Sequence, residues 1–269
     1  AIAEKYNLWL HVDAAYAGAA AILPERRWIL AGAERAHSLV TNPHKWLLTP
    51  SDLSAFFTRR PDLMRRAFTL VPEYLRTEQD AVATNLMDYS LAMGRRFRPL
   101  KLWFVLRYYG REGVSAFLRR DIGFGRRVAE ALAADPRFEV VAPVHFSLVC
   151  FRCKGPDDLS RQLLETINAT GKAFLSHTVL NGKFVIRFAI GNFGTTSEDI
   201  DAILDLIKAS LPEKLRETAY ALAVEVASAD VSAVQEELRF LEMMRDSFDL
   251  SNLSAAAIEH SASVRYRRA

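Results

Sequence analysis

Cysteine is scarce in this chain: Cys150 and Cys153 are the only two among 269 residues, too few for the disulfide framework of a small secreted domain. Both lie in the apolar run Phe146-Ser-Leu-Val-Cys-Phe-Arg-Cys153, which reads as a strand, and on a strand residues three apart face opposite sides. Two packed thiols in a reducing, cytoplasmic setting are expected. No metal site is expected, because no second cysteine pair or nearby histidine completes a ligand set. Long apolar runs are missing as well. None approaches the roughly 20 residues that span a bilayer, and the first residues lack the charged, apolar and small-residue regions of a signal peptide, so no membrane association is expected. Charge of one sign is not in excess either. The formal net charge is +3, and the basic residues are dispersed rather than gathered in a stripe, which gives nucleic acid no footprint.

What is present is the balance of a globular protein: half the residues are hydrophobic and a quarter charged, which excludes disorder and collagen-like repeats. The length suffices for two compact domains with sizeable cores. The opening, Ala1-Ile-Ala-Glu-Lys-Tyr-Asn7, reads as the last turns of a helix feeding a buried strand, so the chain is expected to be a fragment of a longer protein.

Residues 8–14 form a nearly continuous apolar run, as in a strand buried on both faces of a parallel sheet. A helix-like stretch over 25–35 follows, and then a short strand over 38–41. Asn42-Pro43 stops that strand, since proline neither donates to a ladder nor permits a helical predecessor. A further strand is expected over 53–57 and a helix over 61–68, while the polar segment 71–85 reads as a movable loop. Residues 99–110 read as a helix with proline in its first turn and glycine at its end, and a longer helix over 112–134 leads away. Strands over 138–141, 147–152, 173–178 and 183–190, with a helix over 156–170, predict a small α+β domain. Asn181-Gly182 between the last two strands is a strong hairpin signal. After the acidic start Ser197-Glu-Asp-Ile200 the pattern is helical almost to the end, with residues 213–248 reading as packed or partner-covering helix.

Two segments carry chemistry: His11-Val-Asp13-Ala-Ala15-Tyr-Ala-Gly18 and Asn42-Pro-His44-Lys45-Trp-Leu-Leu48. Each lies where a strand runs out into a turn, and in open α/β sheets ligands bind beyond the carboxyl ends of the strands. A lone aspartate after a strand is ordinarily a turn or cap residue, and a lone lysine is ordinarily solvated surface. The pairing of the two on sequential strand ends points further. A carboxylate and an amine so placed are what pyridoxal phosphate (PLP) requires: the amine forms a Schiff base with the aldehyde, and the carboxylate holds the pyridine nitrogen protonated. The protonated ring then accepts the electrons left when a bond at Cα breaks. Small residues after Asp13 let a flat ring lie close.

These two segments resemble the signature of the group II PLP-dependent decarboxylases, the aromatic L-amino acid decarboxylase family of the fold type I (aspartate aminotransferase-like) α/β architecture. Further stretches agree in order: Pro72-Glu-Tyr-Leu75, Gly94-Arg-Arg-Phe-Arg98, Leu100-Lys-Leu-Trp-Phe104 and Leu180-Asn-Gly-Lys-Phe-Val-Ile-Arg-Phe188. The resemblance covers about residues 1–210 and divides the chain into part of the PLP-binding large domain (1–110), a small C-terminal α+β domain (111–210) and a helical extension (211–269).

By that resemblance Lys45 is the Schiff-base lysine and Asp13 the pyridinium partner. Ala15 touches one ring face, and Asn42 and His44 contribute near the phosphate. Tyr74 matches the tyrosine of a mobile catalytic loop, which protonates the Cα carbanion after CO2 leaves; such a lid also excludes water. Family members with phenylalanine there tend to form aldehydes oxidatively, so tyrosine favours simple decarboxylation. His11 is expected to pack inside the sheet and His177 to be structural, and Gly94 leaves room for a large ring such as indole. The resemblance implies PLP-dependent decarboxylation of aromatic L-amino acids to arylalkylamines in a homodimer. The missing N-terminal half would come from the full-length chain or from a companion chain. An aromatic aldehyde synthase, an acidic amino acid decarboxylase and a non-catalytic interaction module are the alternatives.

Overall fold

The computed structural model describes residues 2–69, 84–92, 94–210, 213–228, 235–248 and 250–266. The chain divides into two compact units, Ala1–Arg120 and Asp121–Ala269.

In the first unit a single short turn of helix, α1 (Ile2–Lys5), leads to strand β1 (His11–Asp13). β1 pairs in parallel with β2 (Ser38–Thr41), Asp13 opposite Val40. β2 pairs antiparallel with β3 (Ala55–Thr58), giving the order β1-β2-β3. The parallel step needs a crossover, and here it is built from three 3₁₀ stretches, Ala17–Ile22, Pro24–Leu30 and Ala33–Arg35. The single helix expected over 25–35 is therefore not formed. Pro24 opens one stretch, and Gly32, at φ 87°, ends the run in a left-handed conformation that halts helical propagation. Ala19, Ala20 and Leu23 of this crossover are buried.

The run 8–14 also departs from expectation. Only His11–Asp13 is strand, at the sheet edge, and its two outer residues are exposed. His11 is not packed inside the sheet. Its ring stacks on Phe56 at 6.3 Å between centroids, and its Nδ1 lies 2.7 Å from Ser38 Oγ. Apolar runs report that a strand prefers burial, but no described element of this unit pairs with the outer edge of β1.

Past β2 the chain forms α2 (Pro43–Trp46), and past β3 it forms α3 (Pro61–Phe68). A long helix, α4 (Pro99–Ala133), passes from the first unit into the second and is interrupted at Gly110, whose φ of 64° and ψ of 179° are not helical. The expected glycine stop thus falls where the helix kinks.

The second unit holds an antiparallel sheet of β4 (Phe138–Val140), β5 (Leu148–Cys153), β6 (Ser176–Leu180) and β7 (Lys183–Ala189), in the order β4-β5-β7-β6. Asn181 and Gly182, at φ 51° and 76°, form the two-residue turn between β6 and β7, as the hairpin signal predicts. Helix α5 (Asp157–Ala169) buries Ser160, Leu163, Leu164 and Ile167, one stripe at helical spacing. Helix α6 (Ser197–Ala209) starts on a capping box in which Thr196 and Asp199 exchange side-chain and backbone hydrogen bonds. It buries Ile200, Leu204 and Ile207 in the same core, with Phe138, Phe151 and Ile186 of the sheet. Cys150 and Cys153 are both free, Cys150 half-buried and Cys153 buried. Burial pushes both thiols up, Cys153 to about 11, which keeps them protonated. His177 is exposed and stacks on Phe184.

Beyond α6 the helical pattern resolves into α7 (Glu213–Ser228), α8 (Gln235–Ser247) and α9 (Asn252–Tyr266). They share a core of Tyr220, Val224, Leu241, Leu250, Ala255 and Ala262, and the Tyr220 hydroxyl donates to Glu259. Among the described residues no helix is long and apolar enough to cross a membrane.

Candidate cofactor site

Asp13 is the last residue of β1, so its side chain stands where the strand ends. Its Oδ1 accepts the Ala15 N–H at 3.0 Å, an Asx-type turn that bends the chain away from the strand. The other carboxylate oxygen has no hydrogen-bond partner among the described residues. Ala14 is buried, and its N–H donates to Val40 O at 3.0 Å, extending the ladder by one bond.

Lys45 follows the end of β2, the strand paired with β1. Asn42 is extended, Pro43 opens the short helix, and the Lys45 N–H closes a turn onto Asn42 O at 2.9 Å. Proline at the first helical position costs no hydrogen bond, because that N–H has no intrahelical partner. Trp46 is buried while Lys45 is exposed, so the helix anchors on one residue and presents the next. Among the described residues the Lys45 amine has no ion-pair partner.

Two contacts hold the segments together. The Asn42 N–H donates to Ala15 O at 3.0 Å, and Tyr16 stacks on Trp46 with centroids 4.7 Å apart and planes 17° apart. Gly18 permits this closeness. A Cβ there would lie 2.8 Å from Thr41 Oγ1 and 3.0 Å from Ala14 Cβ, too near for any other residue without a shift of the loop.

The remaining expected residues fall around this join. Ala15 is half-buried on the turn. Asn42 accepts a 2.6 Å hydrogen bond from Ser54 Oγ. His44 Nδ1 accepts the Leu53 N–H at 3.0 Å, which ties its ring to the approach to β3. Tyr74 lies outside the described residues.

Three participants were not read from the sequence. Ser54 and the Leu53 backbone orient Asn42 and His44, and Thr41 carries a buried Oγ1 with no hydrogen-bond partner among the described residues. Thr41 directly precedes the Asn42-Pro43 stop, and a polar residue ending a strand beside a glycine loop was the available signal.

The residues present fit a flat, charged cofactor. A carboxylate ends β1 and an amine follows the end of its neighbour β2, the small residues Ala14, Ala15 and Gly18 follow the carboxylate, and the buried Thr41 hydroxyl beside Gly18 has no hydrogen-bond partner among the described residues.

The fold is that of the fold type I PLP-dependent enzymes. The chain is 38% identical to Oryza sativa TDC in its crystal structure with PLP and tryptamine, with a TM-score of 0.74 over 78% of this chain and 45% of that one. It is 34% identical to Rhodiola rosea 4-hydroxyphenylacetaldehyde synthase, with a TM-score of 0.70 over 78% and 44%.

The chain belongs to the pyridoxal-dependent decarboxylase family, whose conserved-domain model matches residues 1–154. It is 40% identical over 225 residues to the aromatic-L-amino-acid decarboxylase of Catharanthus roseus, covering 80% of this chain and 45% of that protein. It therefore spans less than half the length of the relatives it matches. PLP is the cofactor of the family.

Proposed function

We propose that this chain is the lysine-bearing part of a PLP-dependent enzyme that decarboxylates aromatic L-amino acids to arylalkylamines and CO2. The observation that carries this reading is the join described above: the Asn42 N–H on Ala15 O and the Tyr16–Trp46 stack draw together the two strand ends that bear Asp13 and Lys45. When bound, PLP supplies an electron sink for the pair left as the bond from Cα to the carboxylate breaks.

The chain's own residues do the rest. Lys45 is the amine that tethers the cofactor's aldehyde, and Asp13 keeps a proton on the ring nitrogen through its negative charge. Ala15, on the turn beside Asp13, leaves room for the ring. Asn42 and His44 hold the phosphate end, each fixed by the contacts that Ser54 and Leu53 make. Tyr74 delivers the proton to Cα that turns decarboxylation into amine release.

In this reading residues 1–110 belong to the large cofactor domain, 111–210 to the small domain and 211–269 to an extension. The rest of the large domain comes from the same polypeptide or a companion, and the working form is a homodimer. Large apolar side chains of the first unit support a missing cover: Trp9, Phe56, Phe57, Trp103 and Phe104 are all exposed. The free thiols support a cytoplasmic setting.

The test is product analysis on the polypeptide that carries this chain, with a panel of tryptophan, tyrosine, phenylalanine and glutamate. Amine and CO2 in equal amounts without peroxide are expected from the aromatic substrates. Tyr74→Phe is expected to cut amine release about a hundredfold and to yield aldehyde, ammonia and peroxide from the same substrates in the presence of oxygen. The likeness to the Rhodiola rosea synthase favours one second reading, an aromatic aldehyde synthase, which aldehyde and peroxide from the unaltered protein would establish. Activity on glutamate alone would refute the aromatic assignment.

A further inference from the structure

The C-terminal helices carry a feature that the decarboxylase reading does not use. One face of α7 and α8 is buried in the three-helix core. The opposite face is uncovered, with Leu222, Val226 and Phe240 at 61%, 76% and 57% exposure. Together with Met244, Ala131 and Ala223, these side chains line a groove of about 880 Å³ between α7, α8 and the end of α4. That volume lies within the range of small-molecule sites, roughly 300 to 1,000 Å³.

The polar margin of the groove has one net sign. Its charged residues are Asp135, Arg137, Lys154 and Lys208. Asp135 and Arg137 neutralise each other across 2.6 Å, both largely buried, and the Arg137 guanidinium also caps the Phe248 ring at 5.2 Å. Two positive charges are left. Among the described residues neither Lys154 nor Lys208 forms a salt bridge; Lys208 acts on Asp135, and Lys154 on Glu139, only at longer range. Glu139 is itself committed to Arg152 at 2.7 Å.

We propose that this groove binds an amphiphile with a single anionic head and an aliphatic tail, a medium- or long-chain carboxylate. The tail would cover Leu222, Val226 and Phe240, removing apolar surface from water, and the head would meet the two lysines at the margin. The groove shares no lining residue with the segments that bear Asp13 and Lys45, so its fate and that of the decarboxylase assignment are decided independently.

Calorimetric titration of the full chain with dodecanoate tests it, with undecyltrimethylammonium as a probe of equal alkyl tail and opposite head charge, each below its micelle concentration. Dodecanoate is expected to bind one per chain and about tenfold more tightly than the ammonium. The double substitution Lys154→Gln, Lys208→Gln should bring the two affinities together. Ala223→Trp, which fills the groove, should abolish binding of both with an unchanged far-UV circular dichroism spectrum. Val226→Asp places its charge on an exposed position and should weaken dodecanoate binding even if Ala223→Trp disturbs the fold. Equal affinity for the two probes, or dodecanoate binding that survives both groove variants, overturns the proposal. So does sedimentation showing that the groove is closed by self-association, which Val226→Asp would disrupt.

Discussion

Asp13 uses one carboxylate oxygen on the Ala15 N–H and has no hydrogen-bond partner for the other among the described residues, so turn and charge can be separated by substitution. Asp13→Asn retains an acceptor for the turn and loses the negative charge. The expected result is an unchanged circular dichroism spectrum, retained PLP and a fall in kcat/KM of about a hundredfold or more; activity within a few-fold of the parent would remove Asp13 from the cofactor's ring nitrogen. Asp135 makes a different kind of prediction. Burial acts to raise its pKa, yet the hydrogen bonds from the Arg137 side chain and backbone outweigh burial and hold the carboxyl below the usual range. A depressed carboxylate contributes stability at neutral pH that is lost as pH falls through its folded value. Asp135→Asn should therefore cost about 2 kcal/mol at pH 7 and less at pH 3, below the group's ordinary value of 3.8, as read from urea unfolding midpoints at both. Among individual residues, the placement of Asp13 at the end of β1 and of Lys45 just past β2 was legible, because strand-end motifs mark both in the chain order. The Tyr16–Trp46 stack, the Ser54 contact to Asn42 and the unpartnered Thr41 hydroxyl were not, because each arises only when two segments distant in sequence meet.

At the scale of elements, local chemistry was the best guide where the signal itself was local. Asn181-Gly182 supplies the two positive φ values that a tight hairpin needs, and the turn forms there. The start of α6 is likewise local, since Thr196 and Asp199 satisfy each other's backbone N–H groups. Thr196→Ala should cost about 1 kcal/mol, measured as a lowered midpoint in thermal or urea unfolding, while Thr196→Ser should restore most of it. A midpoint unmoved by Thr196→Ala would mean that α6 is held by Ile200, Leu204 and Ile207 alone. The crossover between β1 and β2 was misread for a physical reason. Apolar spacing over 25–35 suits a helix, but Pro24 and the left-handed Gly32 divide the stretch into short 3₁₀ turns. The continuous apolar run over 8–14 also overstated β1, whose length is set by pairing with β2 and not by its own hydrophobicity.

Across the whole molecule, the two units differ in how complete they are. The second closes a four-stranded sheet with α5 and α6 over one continuous core, and its α+β character was legible from alternating strand and helix patterns. Among its described residues the first carries three strands, a β1 edge with no partner strand and exposed aromatics, the kind of edge and apolar surface that further pairing or packing covers. The account's central claim is that PLP is held through Lys45 opposite Asp13. It is tested most directly by adding PLP to the polypeptide that carries this chain, reducing with borohydride and mapping the labelled peptide by mass spectrometry. The pyridoxyl group is predicted on Lys45, with the label absent after Lys45→Ala; a label on another lysine, with Lys45 unmodified and activity intact in Lys45→Ala, would contradict it.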